Sequence, residues 1–289
     1  MGLEFEPCSF WKNPEGIELA CYEWVPSNEP KFVLYLVHGY ADRLNGYPKL
    51  IEMVNAIGGI VYAHDHFAHG KSGPYPQDHP KRCQIENLYH TARDVNFRVK
   101  EAKKKHHNLP LIMLGHSLGG LIAALMVQQN PENIDALILE APAFKIHEAS
   151  AKWYLVLGAK ILSRIAPEFK LGEGDVDFIS RNKDVNAECK RLEPEYGDNG
   201  GMMARTAMHM LNVQTKLMTE INQIKVKTLI CQGTDDRLCS FEGSKQAHNQ
   251  MPNSQMKIYE GAYHCLHDEL PETTEAFLND VKEFIAAFL

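Results

Sequence analysis

Pro110-Leu-Ile-Met-Leu-Gly115-His-Ser117-Leu-Gly-Gly120 runs directly into Leu121-Ile-Ala-Ala-Leu-Met-Val-Gln-Gln129. An apolar strand is followed at once by a serine flanked at two residues' distance by glycines, then by a strong helix former. The serine must therefore sit on a very tight strand-to-helix turn, the nucleophile elbow. Gly115 and Gly119 stand where side chains would collide in so sharp a bend. The hydroxyl is held out at the carboxyl edge of a sheet, at a helix N-terminus whose unpaired N–H groups favour developing negative charge. Glycine-serine turns are common; the clear strand before this one and the clear helix after it select the elbow.

Outward from the elbow, the same rhythm continues. Upstream lie strands at Glu18–Trp24, Lys31–Gly39 and Gly58–Asp65, with helical spacing over Tyr47–Ile57 and over Ile85–His106, the latter ending in lysines as its dipole prefers. Downstream lie strands at Ala136–Pro142, Lys227–Gly233 and Met256–Gly261, a helix around Gly243–Met251 and a last helix over Thr273–Phe288. Strands alternating with helices predict right-handed crossovers and a mostly parallel central sheet covered by helices on both faces, an α/β fold. At 289 residues the chain fits one domain, 1–289, with an insertion rather than two domains.

The rhythm breaks over 143–224, which holds no convincing strand. Apolar helical stretches remain there, one with Trp153, Tyr154, Val156, Leu157, Ile161 and Leu162, another with Met202, Met203, Met208, Met210 and Leu211. The span reads as a helical cap inserted after the sixth strand of such a fold, over its active edge. Trp153–Leu157 is apolar nearly all round, so it must be buried or face lipid. That suits a lipid substrate and peripheral contact with a membrane surface.

Thirty basic against thirty-seven acidic residues give a net charge of −7, with no basic stripe, which argues against a nucleic-acid partner. Seven cysteines, odd in number and scattered, read as free thiols in a reducing compartment. The first thirty residues show no apolar leader core and no run approaches the length of a membrane span, so the expected location is cytoplasmic, with peripheral membrane association at most.

A serine hydroxyl is a poor nucleophile until a base takes its proton, and a histidine does so best when a carboxylate fixes its tautomer. On an elbow fold the order is serine, acid, histidine, the last two on loops leaving late strands. Gly233-Thr-Asp235-Asp236-Arg237 and Gly261-Ala-Tyr-His264 supply them. In related hydrolases the acid stands three residues after the strand-ending glycine, which selects Asp236 and leaves Asp235 as a solvated neighbour. Glu140, also at a strand end, lies too soon after the nucleophile. His264 has rivals in His267, His38, His64, His66 and His69, but only His264 stands on the loop immediately after the last strand. The oxyanion of an acyl-transfer intermediate needs two N–H donors, expected from Leu118 and Tyr40. His64-Asp-His66-Phe-Ala-His69 invites a zinc reading, but no water-activating motif accompanies it, and a structural loop explains it fully. No metal and no cofactor are expected. Cys239 should lie near the triad, by default as a packed thiol.

His38-Gly39, Asp65-His-Phe-Ala-His-Gly70-Lys-Ser72, Gly115–Gly120, Gly233-Thr-Asp-Asp-Arg-Leu-Cys239 and Tyr259-Glu-Gly-Ala-Tyr-His264-Cys-Leu-His267 together resemble the monoglyceride lipases of the α/β-hydrolase superfamily. The resemblance covers nearly the whole chain and is weakest through the cap. It implies the α/β-hydrolase fold, hydrolysis of monoacylglycerols to fatty acid and glycerol, Ser117, Asp236 and His264 as triad, and a lipophilic cap that meets membranes. It also implies glycerol contacts for Asp42 and His267. Two departures stand out: Tyr40 where the family has a small residue, and Gly46 where it has an arginine. A broader carboxylesterase or lysophospholipase would share every catalytic residue, whereas a non-catalytic binding protein on this fold would be expected to have lost part of the triad.

Overall fold

The computed structural model describes residues 3–148, 152–172 and 174–289. Its centre is an eight-stranded sheet: β1 (Ser9–Lys12), β2 (Glu18–Trp24), β3 (Phe32–Val37), β4 (Gly59–His64), β5 (Leu111–His116), β6 (Ala136–Glu140), β7 (Lys227–Gly233) and β8 (Ser254–Tyr259). The strand order is β1-β2-β4-β3-β5-β6-β7-β8. β2 runs antiparallel to β1 and β4, and the remaining pairs are parallel. β3, β4, β5 and β6 are buried at every position, which is why they read as unbroken apolar runs and not as alternating ones.

Strand alternation sorts each strand's side chains into two cores. Val33, Tyr35 and Val37 point to the face covered by α2 (Leu88–Lys105) and α3 (Leu118–Gln129), and Phe32, Leu34 and Leu36 to the face covered by α1 (Pro48–Ala56) and α8 (Pro271–Phe288). α3 is buried from Leu118 through Val127, so it carries no amphipathic stripe. The Asn87 side chain caps α2 by accepting from Tyr89 N, and α2 ends in Lys103, Lys104 and Lys105 at the dipole's negative end. α7 (Phe241–Gln250) connects β7 to β8. Eight mostly parallel strands flanked by helices make this the α/β-hydrolase fold.

Between β6 and β7 the chain forms α4 (Trp153–Ile165), α5 (Lys183–Tyr196) and α6 (Ala204–Thr219), with α4 packed on α6. Within the expected 143–224 span, residues 149–151 and 173 lie outside the described residues. The expected methionine helix needs correction at its start. Met202 and Met203 precede α6; Met202 O accepts from Leu171 N at 2.9 Å, and Met203 forms a bridge with Lys170. The Trp153–Leu157 stretch at the start of α4 is not buried as a whole: Trp153 is 76% accessible, and Tyr154, Leu155 and Leu157 are exposed as well.

Candidate active site

The elbow is built by close backbone contact. A Cβ on Gly115 would stand 2.4 Å from the Gly119 carbonyl oxygen, and one on Gly119 would stand 2.0 Å from the Val37 carbonyl oxygen. The start of α3 is thus pressed against the end of β3, and Ser117 takes φ 54°, ψ −118°. Its N–H donates to Glu140 O at 2.9 Å, while its own carbonyl accepts from Gly120 N, Leu121 N and Ala143 N. The same compression brings in the loop after β3: a Cβ on Gly39 would lie 3.4 Å from Ser117 Cβ. Tyr40 N and Leu118 N, the two expected oxyanion donors, donate to no acceptor among the described residues.

Asp236 leaves the end of β7 and is held from three sides. Its Oδ1 accepts from Leu238 N at 2.8 Å and Cys239 N at 2.9 Å, and its Oδ2 from Gln232 Nε2 at 2.8 Å. The same Oδ2 lies 2.8 Å from His264 Nδ1, on the loop after β8. Asp235 is exposed, as its reading as a solvated neighbour requires. Burial disfavours the imidazolium of His264, but the Asp236 charge and hydrogen bond outweigh it and raise its pKa above the ordinary value. Burial likewise opposes ionisation of Asp236, yet the His264 charge and the two amides hold its pKa down. With Nδ1 committed to the carboxylate, Nε2 is the nitrogen left to act as base.

The Ser117 hydroxyl interacts with the Cys239 thiol. That thiol lies within 4.8 Å of both the His264 ring nitrogen and the Asp236 carboxylate. No Ser117 Oγ–His264 Nε2 hydrogen bond is formed among the described residues, a contact that commonly tightens only when substrate is bound. Burial, then the Asp236 charge, push the Cys239 thiol well above its usual pKa, so it is a packed thiol and a poor thiolate.

His264 must be neutral to accept a proton, so kcat/KM should fall as pH drops through its raised pKa. The acid limb is expected above pH ~6.5, the ordinary histidine value. Asp236→Asn should move it downward while slowing turnover; a wild-type limb below 6.5, or one unmoved in the variant, would contradict the pairing.

Asp42 and His267, expected at the glycerol end, are each engaged internally. Asp42 Oδ2 accepts from Gly39 N at 3.1 Å and from the Tyr47 hydroxyl, and Oδ1 accepts from Arg43 N at 2.7 Å, which pins the loop carrying Tyr40. His267 stacks on the Tyr47 ring at 4.3 Å; its Nδ1 lies 2.7 Å from Glu140 Oε1, which also accepts its backbone N–H at 2.9 Å. Glu140, the discarded candidate acid, therefore serves His267 and not His264. The Tyr47 hydroxyl also meets His116 Nδ1 at 3.0 Å. The sequence reading missed Gln232, Tyr47, His116 and the Glu140–His267 pair. Only Gln232 left a local signal, as an amide directly after the apolar Leu229-Ile-Cys231 of β7.

His64, His66 and His69 do not converge on a point. Among the described residues, the groups close enough to share an ion are His116/Glu140/His267 and Asp236/Cys239/His264, both already hydrogen-bonded within themselves. His64 Nδ1 pairs with the Tyr35 hydroxyl at 2.6 Å, His66 N donates to His38 Nε2 at 3.0 Å, and His69 Nδ1 meets Phe67 O at 2.8 Å. Burial lowers His64 and His69 to about 3, so neutral imidazoles brace the loop.

The hydrolase family described as serine aminopeptidase, S33, matches residues 28–271. Human monoglyceride lipase is 31% identical, the match covering 95% of this chain and 88% of that protein. A monoacylglycerol lipase of Mycolicibacterium smegmatis is 30% identical over 95% of each. The crystal structure of a monoacylglycerol lipase from Paleococcus ferrophilus superposes with a TM-score of 0.78 at 26% identity, covering 94% of this chain and all of that one. By its sheet, its serine elbow and these matches over nearly its full length, the chain belongs to the serine aminopeptidase S33 family of α/β-hydrolases, among the monoglyceride lipases.

Proposed function

We propose that this chain is a carboxylic ester hydrolase that cleaves monoacylglycerols to fatty acid and glycerol through an acyl-enzyme on Ser117. The observation that carries the reading is the 2.8 Å His264–Asp236 pair beside the serine elbow, in a chain whose relatives are named for this substrate. Ser117 Oγ attacks the ester carbonyl while His264 Nε2 takes its proton, and Asp236 stabilises the imidazolium. Tyr40 N–H and Leu118 N–H receive the oxyanion. His264 returns the proton to the departing glycerol, then activates the water that frees the acid. No cofactor enters these steps. Asp42 and His267 are assigned to the alcohol side by the same reading; their contacts with Tyr47 and Glu140 hold both side chains in place.

The exposed face of α4, with Trp153, Tyr154, Leu157, Ile161 and Ile165, supports peripheral docking on a lipid surface from which substrate is drawn. No helix among the described residues is long and apolar enough to cross a membrane. The seven cysteines are all free, which supports the reading of a reducing, cytoplasmic setting.

A substrate panel tests the assignment. Long-chain monoacylglycerols should exceed short-chain esters and lysophospholipids in kcat/KM by roughly tenfold or more, the scale on which an apolar pocket discriminates. Equal turnover of short esters would make the chain a broad carboxylesterase. Failure to hydrolyse any ester, with no labelling by a fluorophosphonate, would leave a binding protein.

A further inference from the structure

Tyr40 has two ends with different attachments. Its backbone N–H is the proposed oxyanion donor, one residue beyond Gly39 and the Ser117 contact. Its hydroxyl reaches the insertion, donating to Asp198 Oδ2 at 3.1 Å and accepting from Gln84 Nε2 at 3.0 Å. Asp198 opens the loop Asp198-Asn-Gly-Gly201 that connects α5 to α6. Asn199, Gly200 and Gly201 have φ of 51°, 111° and 103°, a tight conformation closed by Gly201 N donating to Asp198 Oδ1 at 2.8 Å. Lys170 Nζ, just beyond α4, donates to Asp198 O at 2.6 Å. Gln84 holds the same loop from the other side: its Oε1 accepts from Met203 N at 2.8 Å, immediately before α6. The segments that set where α4 and α6 lie therefore meet at one half-buried phenol. Burial, then the Asp198 charge, push that phenol well above its usual pKa, so it remains a donor throughout the working range.

We infer that Tyr40 is a positioning residue: its hydroxyl ties the oxyanion-receiving amide to the Asp198 loop, so that the placement of the helical insertion sets the geometry of the oxyanion hole. The inference rests on the catalytic reading above and adds to it a route by which the insertion acts on the chemistry. A small side chain at position 40 would supply the same amide without the tether. A displacement of α4 and α6 by substrate or lipid would reach the amide through Asp198 and the phenol. An oxyanion donor acts on the transition state more than on bound substrate, so its misplacement lowers kcat and leaves KM nearly unchanged.

The test uses the full chain with Tyr40→Phe, Asp198→Ala, the double variant and Asp198→Asn, assayed on a soluble monoacylglycerol, with thermal unfolding followed alongside. Tyr40→Phe and Asp198→Ala should each lower kcat by roughly five- to tenfold with KM within about twofold, a loss smaller than deletion of an oxyanion donor itself. The double variant should be no slower than the slower single, because both changes remove the same phenol–carboxylate bond. Asp198→Asn, which keeps an acceptor oxygen, should recover much of the loss. Wild-type kcat in Tyr40→Phe, losses confined to KM, or losses that multiply would each overturn the inference. If Tyr40→Phe does not fold, Asp198→Ala against Asp198→Asn decides by the same kcat criterion. A wild-type chain that is labelled by fluorophosphonate but insensitive at Tyr40 and Asp198 defeats this inference alone; one that is neither labelled nor active defeats the catalytic reading as well.

Discussion

Ser117→Ala is expected to reduce kcat/KM for monoacylglycerols by on the order of 10⁴- to 10⁶-fold, the scale of nucleophile deletion in serine hydrolases. The substitution removes only the hydroxyl. Alanine occupies the same left-handed backbone, and the N–H that Ser117 donates to Glu140 O is retained. The fold should therefore persist, with unfolding temperature and circular dichroism unchanged. The His264–Asp236 pair remains, but with no oxygen for it to activate. Ester hydrolysis and fluorophosphonate labelling are the two readouts. Activity within tenfold of wild type would remove Ser117 from the mechanism and with it the acyl-enzyme.

Gly119→Ala should fail differently, losing both stability and activity. The added carbon would stand 2.0 Å from Val37 O and 2.5 Å from His38 O, and these are backbone atoms of a buried strand end that cannot swing aside. Relief requires α3 to lift away from β3. The cost is about 3 kcal/mol or more, at the upper end for overpacking. The same movement separates Ser117 from the loop that carries Tyr40, so even the folded fraction should turn over slowly. Gly158→Ala is the control. It lies within α4 with nothing within 4 Å of the new carbon, and should be neutral or stabilising by up to ~1 kcal/mol through helix propensity. Denaturant titration and specific activity of the two variants separate the effects. A Gly119→Ala chain as stable and active as Gly158→Ala would contradict the contact geometry.

The parts of the fold legible in the sequence were those with a local physical cause. β2 and β7 fall on the expected Glu18–Trp24 and Lys227–Gly233; β3 and β5 fall within their apolar runs, because central strands covered on both faces are buried at every position. β1 was not visible: it is an edge strand, mostly exposed along Ser9–Lys12, and carries no burial pattern to read. α5 was also missed, since Lys183–Tyr196 is predominantly polar and none of its described residues except Asn186 is buried. Met202 and Met203 resembled helix because methionine carries helical propensity, but their backbone is used by Leu171 and Lys170, contacts that no periodicity encodes. In the site, the elbow and the strand-end loops singled out Ser117, Asp236 and His264 by position, and the structure pairs His264 with Asp236. The Glu140–His267 pair joins residues 127 apart in sequence, and the Tyr40–Asp198 bond residues 158 apart. Such partners become readable only once the topology has brought the loops together.

Ser117 sits at φ 54° without being glycine, a state costing roughly 1–3 kcal/mol that the surrounding backbone sustains. Glycine would rest there more easily, and a chain drifting toward greater robustness alone would be drawn to shed the side chain. Holding a hydroxyl at so uncomfortable a post is what the proposed attack requires, and it comes at the expense of repose.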